Sequence, residues 1–68
     1  MPILIDCKIY LRDHYGSVTY EPYMFDLNEV IAIRSTHNDD TIVYFRNGSI
    51  QTINTTYNNL RSKWLLSQ

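Results

Sequence analysis

Apolar and polar residues alternate along the start of the chain. From Pro2 to Arg12, one side carries Ile3, Ile5, Cys7, Ile9 and Leu11 and the other Leu4, Asp6, Lys8, Tyr10 and Arg12. This is the period of a strand with one side committed to a core. Asp13-His14-Tyr15-Gly16-Ser17 interrupts the alternation as a turn, with Gly16 the residue suited to positive φ. Val18 to Leu27 reads as a second strand, antiparallel to the first. Pro22 has no N–H to give to a ladder, so this strand belongs at a sheet edge or breaks there. Asp26-Leu27-Asn28-Glu29 is a short connection with room for one helical turn. Val30 to Thr36, led by Val30, Ile31 and Ile33, is a third strand, and His37-Asn38-Asp39-Asp40 a polar turn.

Thr41 to Asn54, TIVYFRNGSIQTIN, carries the clearest local signal, because Asn-Gly between runs of β-branched and aromatic residues marks a hairpin. A two-residue loop at Asn47-Gly48 sets Phe45 opposite Ile50, Val43 opposite Thr52 and Ile42 opposite Ile53. Val43, Phe45 and Ile50 then share one face, and Ile42, Tyr44 and Ile53 the other. Both faces are partly apolar, whereas a hairpin wet on one side is apolar on one face only. After Asn54 the period lengthens: Tyr57, Leu60 and Trp64 recur as the stripe of a helix from about Thr56 to about Leu66. Thr55 or Thr56 is placed to cap its start. Arg61 falls inside the stripe, where its stem packs while its head reaches water.

The elements add up to a single small domain over residues 1–68 of α+β class: an antiparallel, twisted or barrel-like sheet of about five strands with one C-terminal helix. One helix shelters one face of a sheet. The other apolar face is covered by curling or by another chain, so a homo-oligomer, most simply a dimer, is expected.

From Phe25 onward, FDLNEVIAI, then DDTIVYFRNGSIQTIN, then the amphipathic helix resemble the short flagellar and swarming-motility proteins of the FlbD type. The resemblance covers Phe25 to Trp64. It implies a strand–turn–strand–helix unit in a small cytoplasmic accessory protein that is not an enzyme and has no catalytic residues to transfer. The first hairpin, Ile3 to Leu27, is longer than the family's, and Asn54, Thr55 and Thr56 stand where the family carries acidic residues. SIQTINTTYNNLRSKWL is similar to the end of LytTR-type DNA-binding domains, which are longer and use basic loops on DNA. Here the corresponding loop holds Asp39 and Asp40, which repel phosphate.

Composition narrows the function classes. A net charge of −1 and a pI near 6.0 argue against unspecific binding to nucleic acid. One cysteine, Cys7, permits no internal disulfide framework and suits a reducing, cytoplasmic setting. No apolar run approaches the roughly 20 residues of a membrane span, and MPILIDCKIY has the period of a strand rather than the layout of a signal peptide. Cys7 sits in the apolar row of the first strand and is expected in the core. His14 and His37 fall in turns without the clustered ligands of a metal or catalytic site, so neither a metal nor another cofactor is expected. Asp39 and Asp40 are adjacent and point apart on an extended chain; the Asp39 region is expected to form the turn itself.

Tyrosine outnumbers the other aromatic residues, and Tyr10, Tyr20, Tyr23 and Tyr44 interleave on the strands with Arg12, Arg34 and Arg46. Such residues pack across strands, enrich protein interfaces, or stack on bases and bind phosphates. Tyr20, Tyr23, Tyr44, Arg34 and Arg46 are the candidate partner contacts. The expected function is a non-enzymatic binding or adaptor module acting through protein–protein contacts, with itself and an unidentified protein as partners. It would serve a bacterial cell as an accessory protein, or a phage as a host-directed regulator or inhibitor. The alternative is a nucleic-acid or nucleotide binder using the Tyr/Arg surface of the sheet.

Overall fold

The structure, a computed structural model, describes residues 1–66. It is an α+β fold with strands β1 (Leu4–Arg12), β2 (Val18–Asp26), β3 (Val30–Ser35), β4 (Thr41–Phe45) and β5 (Ile50–Ile53), followed by helix α1 (Tyr57–Leu66). A short 3₁₀ turn, Leu27–Glu29, joins β2 to β3. The five strands form one antiparallel sheet in the order β2-β1-β5-β4-β3, and it is not closed. The expected twisted or barrel-like sheet thus takes its open form, curled but not closed.

The two outermost strands, β2 and β3, are consecutive in the chain and separated only by the Leu27–Glu29 corner. So short a joint brings the two edges together at one end, and the sheet has to curl to allow it. Phe25 of edge strand β2 thus meets Phe45 of β4 edge-to-face, with ring centroids 5.4 Å apart and planes at 85°. Asp26 clasps the corner. Its Oδ1 accepts from the Asn28 N–H at 3.0 Å and the Ile3 N–H at 3.1 Å, and the Leu27 N–H donates to the Ile3 carbonyl at 2.8 Å. These backbone donors, Asn28 before Ile3, hold the Asp26 carboxyl below its ordinary pKa.

Pro22 lies on an edge strand, as its missing N–H requires. Asn54 donates from its N–H to the Lys8 carbonyl and accepts from the Lys8 N–H through Oδ1, so Lys8 turns its main chain toward β5. Lys8 stands opposite Pro22, which makes theirs a non-hydrogen-bonded pair and points the proline nitrogen outward.

The three hairpins share one loop. Asp13, Thr36 and Phe45 each donate an N–H to the carbonyl four residues on (Ser17, Asp40 and Ser49), and the residue before each acceptor has positive φ: Gly16 at 83°, Asp39 at 63° and Gly48 at 93°. This corrects the hairpin at Asn47-Gly48. The loop is Arg46–Asn47–Gly48 rather than two residues, because only Gly48 is left-handed and Asn47 Oδ1 accepts from the Ser49 N–H at 2.9 Å. The register moves by one: Tyr44 faces Ile50, Val43 faces Gln51, Ile42 faces Thr52 and Thr41 faces Ile53. A slip of one residue exchanges faces. Ile53 therefore joins Thr41, Val43 and Phe45 on the inner face, and Ile50 moves to the outer face, where it is 58% exposed.

The core lies inside the curl: Ile5, Cys7, Phe25, Leu27, Val30, Val43, Phe45 and Ile53 from the sheet side, closed by Leu60 of α1. Leu60 is fully buried, with half-buried Trp64 packed beside it. Thr56 starts the helix; its carbonyl accepts from the Leu60 N–H at 3.1 Å and its hydroxyl from the Asn59 N–H at 3.4 Å. The one buried polar residue among those described, Thr41, donates its hydroxyl to the Thr55 carbonyl at 2.7 Å and so fixes the approach to α1.

Two stability outcomes follow. Asp39 occupies a glycine's conformation, so Asp39→Gly is expected to raise unfolding stability by up to about 1 kcal/mol, read by urea denaturation. Because the folded-state pKa of Asp26 is depressed, its contribution is present above the unfolded pKa and lost as pH falls through the folded value. Asp26→Asn should accordingly lower stability at neutral pH and flatten its loss on acidification, measured as denaturation midpoints across an acid titration.

Candidate interaction surface

Curling leaves the sheet with an inner face that is core and an outer face that is not. Strand alternation and the observed register assign each candidate residue to one of them. In β1 and β2, Tyr10 stands opposite Tyr20 and Arg12 opposite Val18 on the outer face. Arg12 Nη2 donates to the Tyr10 hydroxyl at 2.8 Å, and its guanidinium carbon lies 5.9 Å from the centre of the Tyr10 ring. The Tyr10 and Tyr20 rings meet edge-to-face at 5.7 Å and 80°. The guanidinium thus holds one tyrosine, which in turn braces the second.

In the other half of the sheet, Tyr44 stands between Ala32 and Ile50, and Ile42 between Arg34 and Thr52, again on the outer face. The Ile9–Ile53 bridge joins the halves. Large apolar side chains lie open on this surface or its rim: Leu4, Met24, Ile50 and Tyr20 are 60%, 56%, 58% and 47% exposed. Polar Asp6, Lys8, Arg12 and Arg34 are interspersed among them.

Of the five candidates from the sequence, the fold brings Tyr20, Tyr44 and Arg34 to one face. Tyr23 falls on the inner side opposite Cys7, half-buried, with its ring 5.9 Å from Phe25; it packs against the core and does not share that surface. Arg46 sits in the β4–β5 loop and straps it to the corner, with Nη2 donating to the Asn28 carbonyl at 3.2 Å and Nε 3.7 Å from the Glu29 carboxylate. Both ends of that ion pair are exposed, so it adds little to stability. Ile50 and Met24 were not among the sequence candidates. A two-residue loop sets Ile50 on the face of Val43 and Phe45, whereas the observed register sets it beside Tyr44; Met24 is legible as the outward neighbour of Phe25.

Two shallow recesses flank the start of β1. One, of about 510 Å³, is lined by polar groups including Asp6, Lys8, Asn54, Asn59 and Lys63 around Cys7. The other, of about 380 Å³, is mostly apolar and lined by Ile3, Leu4, Ile5, Lys63 and Leu66. Burial, with the Asp6 carboxylate nearby, pushes the Cys7 thiol above its ordinary pKa and keeps it protonated. His14 and His37 are exposed in the first and second hairpin loops. Among the described residues, no group of three or more His, Cys, Asp or Glu side chains is placed to hold a metal ion. No helix among them is long and apolar enough to cross a membrane.

Searches against protein-family models, curated proteins and solved structures find no match to this chain. The surface is therefore read from its own chemistry: aromatic rings with polar tips, an arginine held against one of them, and open aliphatic groups on paired strands.

Cys7 provides a check on the inner face. Alkylation of the native protein at neutral pH is expected to be at least about tenfold slower than that of the urea-unfolded chain. Equal rates, followed by mass spectrometry, would contradict a protonated, sheltered thiol.

Proposed function

We infer that this protein is a non-enzymatic binding or adaptor module that works through protein–protein contacts as a homo-oligomer. The observation that carries this reading is the composition of the outer sheet face. Tyr10, Tyr20 and Tyr44 alternate with exposed Ile50, Leu4 and Met24 on paired strands. Protein interfaces are enriched in tyrosine, methionine and arginine, and strands hold such groups in fixed relative positions at low entropic cost. The burial of Cys7 in the core and the exposure of His14 and His37 on different loops support a protein that binds rather than transforms its partner. A role as a small bacterial accessory protein of the FlbD type, or as a phage-encoded regulator aimed at a host protein, fits this description, and the cytoplasm suits the free cysteine.

A second reading comes from the Tyr10–Arg12–Tyr20 cluster, where a guanidinium beside two rings is chemistry that also grips a nucleotide base and phosphate. The overall charge of −1 weighs against it.

Affinity capture from the source cell, followed by binding measurements on the recovered partner, separates the two readings. For a protein partner, Tyr20→Ala or Tyr44→Ala weakens binding by about tenfold or more, as interface tyrosines do, and added salt changes it little. Recovery of RNA or DNA, with affinity that falls steeply as salt rises, would replace the first reading by the second.

A further inference from the structure

The sheet has two free edges, and they differ in chemistry. On β2 the outward-pointing main-chain groups belong to Tyr20, Pro22 and Met24, because Lys8 opposite Pro22 faces away toward β5. Pro22 removes the central donor of that row, which blunts the edge as natural sheets do. On β3, Thr36 donates its N–H to the Asp40 carbonyl, so Arg34, two residues back, also faces β4. Ile33 and Ser35 therefore turn their N–H and C=O groups outward. No proline, bulge or acidic side chain guards this stretch. The β3 irregularity lies earlier, between Val30 and Ala32.

Beside the open edge runs an apolar groove of about 360 Å³ between β3 and α1, lined by Ile31, Ala32 and Ile33 of β3 and by Tyr57, Arg61, Trp64 and Leu65 of α1. Ile31 and Leu65 are 57% and 56% exposed. Open main-chain groups beside an apolar groove are the two parts of a strand-addition site.

We propose that β3 pairs antiparallel with β3 of a second copy of this chain, about a two-fold axis through Ile33, making one continuous sheet across the dimer. This rests on the reading of the protein as an oligomeric binding module and specifies where the copies meet. The strand is self-complementary in that register. Ile33 pairs with Ile33 of the second copy through two main-chain hydrogen bonds. Each Ile33 is an inner-face residue, so its mate enters the groove beside Trp64 and Tyr57, and the symmetry fills both grooves at once. On the outer face, Arg34 stands opposite Ala32 of the second copy, where its stem covers a small side chain. Moving the axis one residue to Arg34 would oppose two guanidiniums, and moving it one the other way would place Ala32 against Ala32 and leave Arg34 without that cover. A net charge of −1 per chain makes the mutual repulsion of two copies weak.

Ser35→Pro is a selective probe. It deletes an outward donor on an exposed residue and leaves the β3–β4 ladder and the core untouched. Sedimentation velocity over a wide concentration range is expected to show a monomer–dimer equilibrium for the natural chain. The dimer should weaken by about tenfold or more in Ser35→Pro and stay unchanged in Pro22→Ala. Amide exchange of the natural chain, with no substitution, supplies the second measurement: protection of the Ile33 and Ser35 amides should rise with protein concentration. A chain that is monomeric throughout overturns the proposal, and so does a dimer in which those amides stay unprotected or Tyr44→Ala disrupts association while Ser35→Pro does not. Partner capture judges the protein-binding reading separately, because it is scored on the outer-face tyrosines.

Discussion

The corner at Leu27–Glu29 is the constraint on which the rest of the structure depends. It connects strands that lie at opposite ends of the sheet order, and it does so in three residues. A flat five-stranded sheet would hold those edges roughly 20 Å apart, at about 4.8 Å per strand spacing. The chain resolves the conflict by curling, and Phe25 and Phe45 meet inside the curl as a consequence. Asp26, with two backbone donors on one carboxylate oxygen, keeps the corner from opening. The other two backbone ties at this end, from Leu27 to Ile3 and from Arg46 to Glu29, anchor it to β1 and to the last hairpin.

Curling also settles how a chain of 68 residues hides an apolar core with one helix. A chain this small buries only about 60% of its unfolded surface. A curled sheet wraps its own inner face, so α1 has to cover only what stays open beside β1 and β3, and Leu60 does this with no exposed surface. The same geometry leaves the outer face convex and rich in tyrosine. It also leaves the β2 and β3 edges unpaired with each other away from the corner. The tyrosine-rich outer face and the open edges are thus by-products of the way the core was made.

Much of this was legible in the residues. The alternation from Ile3 to Leu11 marked the core row, Pro22 marked an edge, Gly16 and Gly48 marked left-handed turn positions, and the Tyr57–Leu60–Trp64 spacing marked the covering helix. The candidate surface was half legible. Tyr20, Tyr44 and Arg34 share a face by parity along their own strands, but Tyr23 was grouped with them although its parity places it beside Phe25 on the inner side. Arg46 was grouped with them too, and only the approach of Glu29 and the Asn28 carbonyl across the fold shows it as a strap on the corner.

The sequence by itself determined the periods: where the chain runs as strand, where it turns, and where it becomes helix. These are local properties of side-chain spacing and backbone freedom. The tertiary structure alone decided the register of the last hairpin, since Asn-Gly is compatible with more than one loop. The longer loop places Ile53 in the core and Ile50 outside, a choice made by packing against Val43, Leu60 and the curl as a whole. It alone decided, too, that the sheet stays open and which edge is left unguarded, because strand order depends on contacts between residues far apart in the chain.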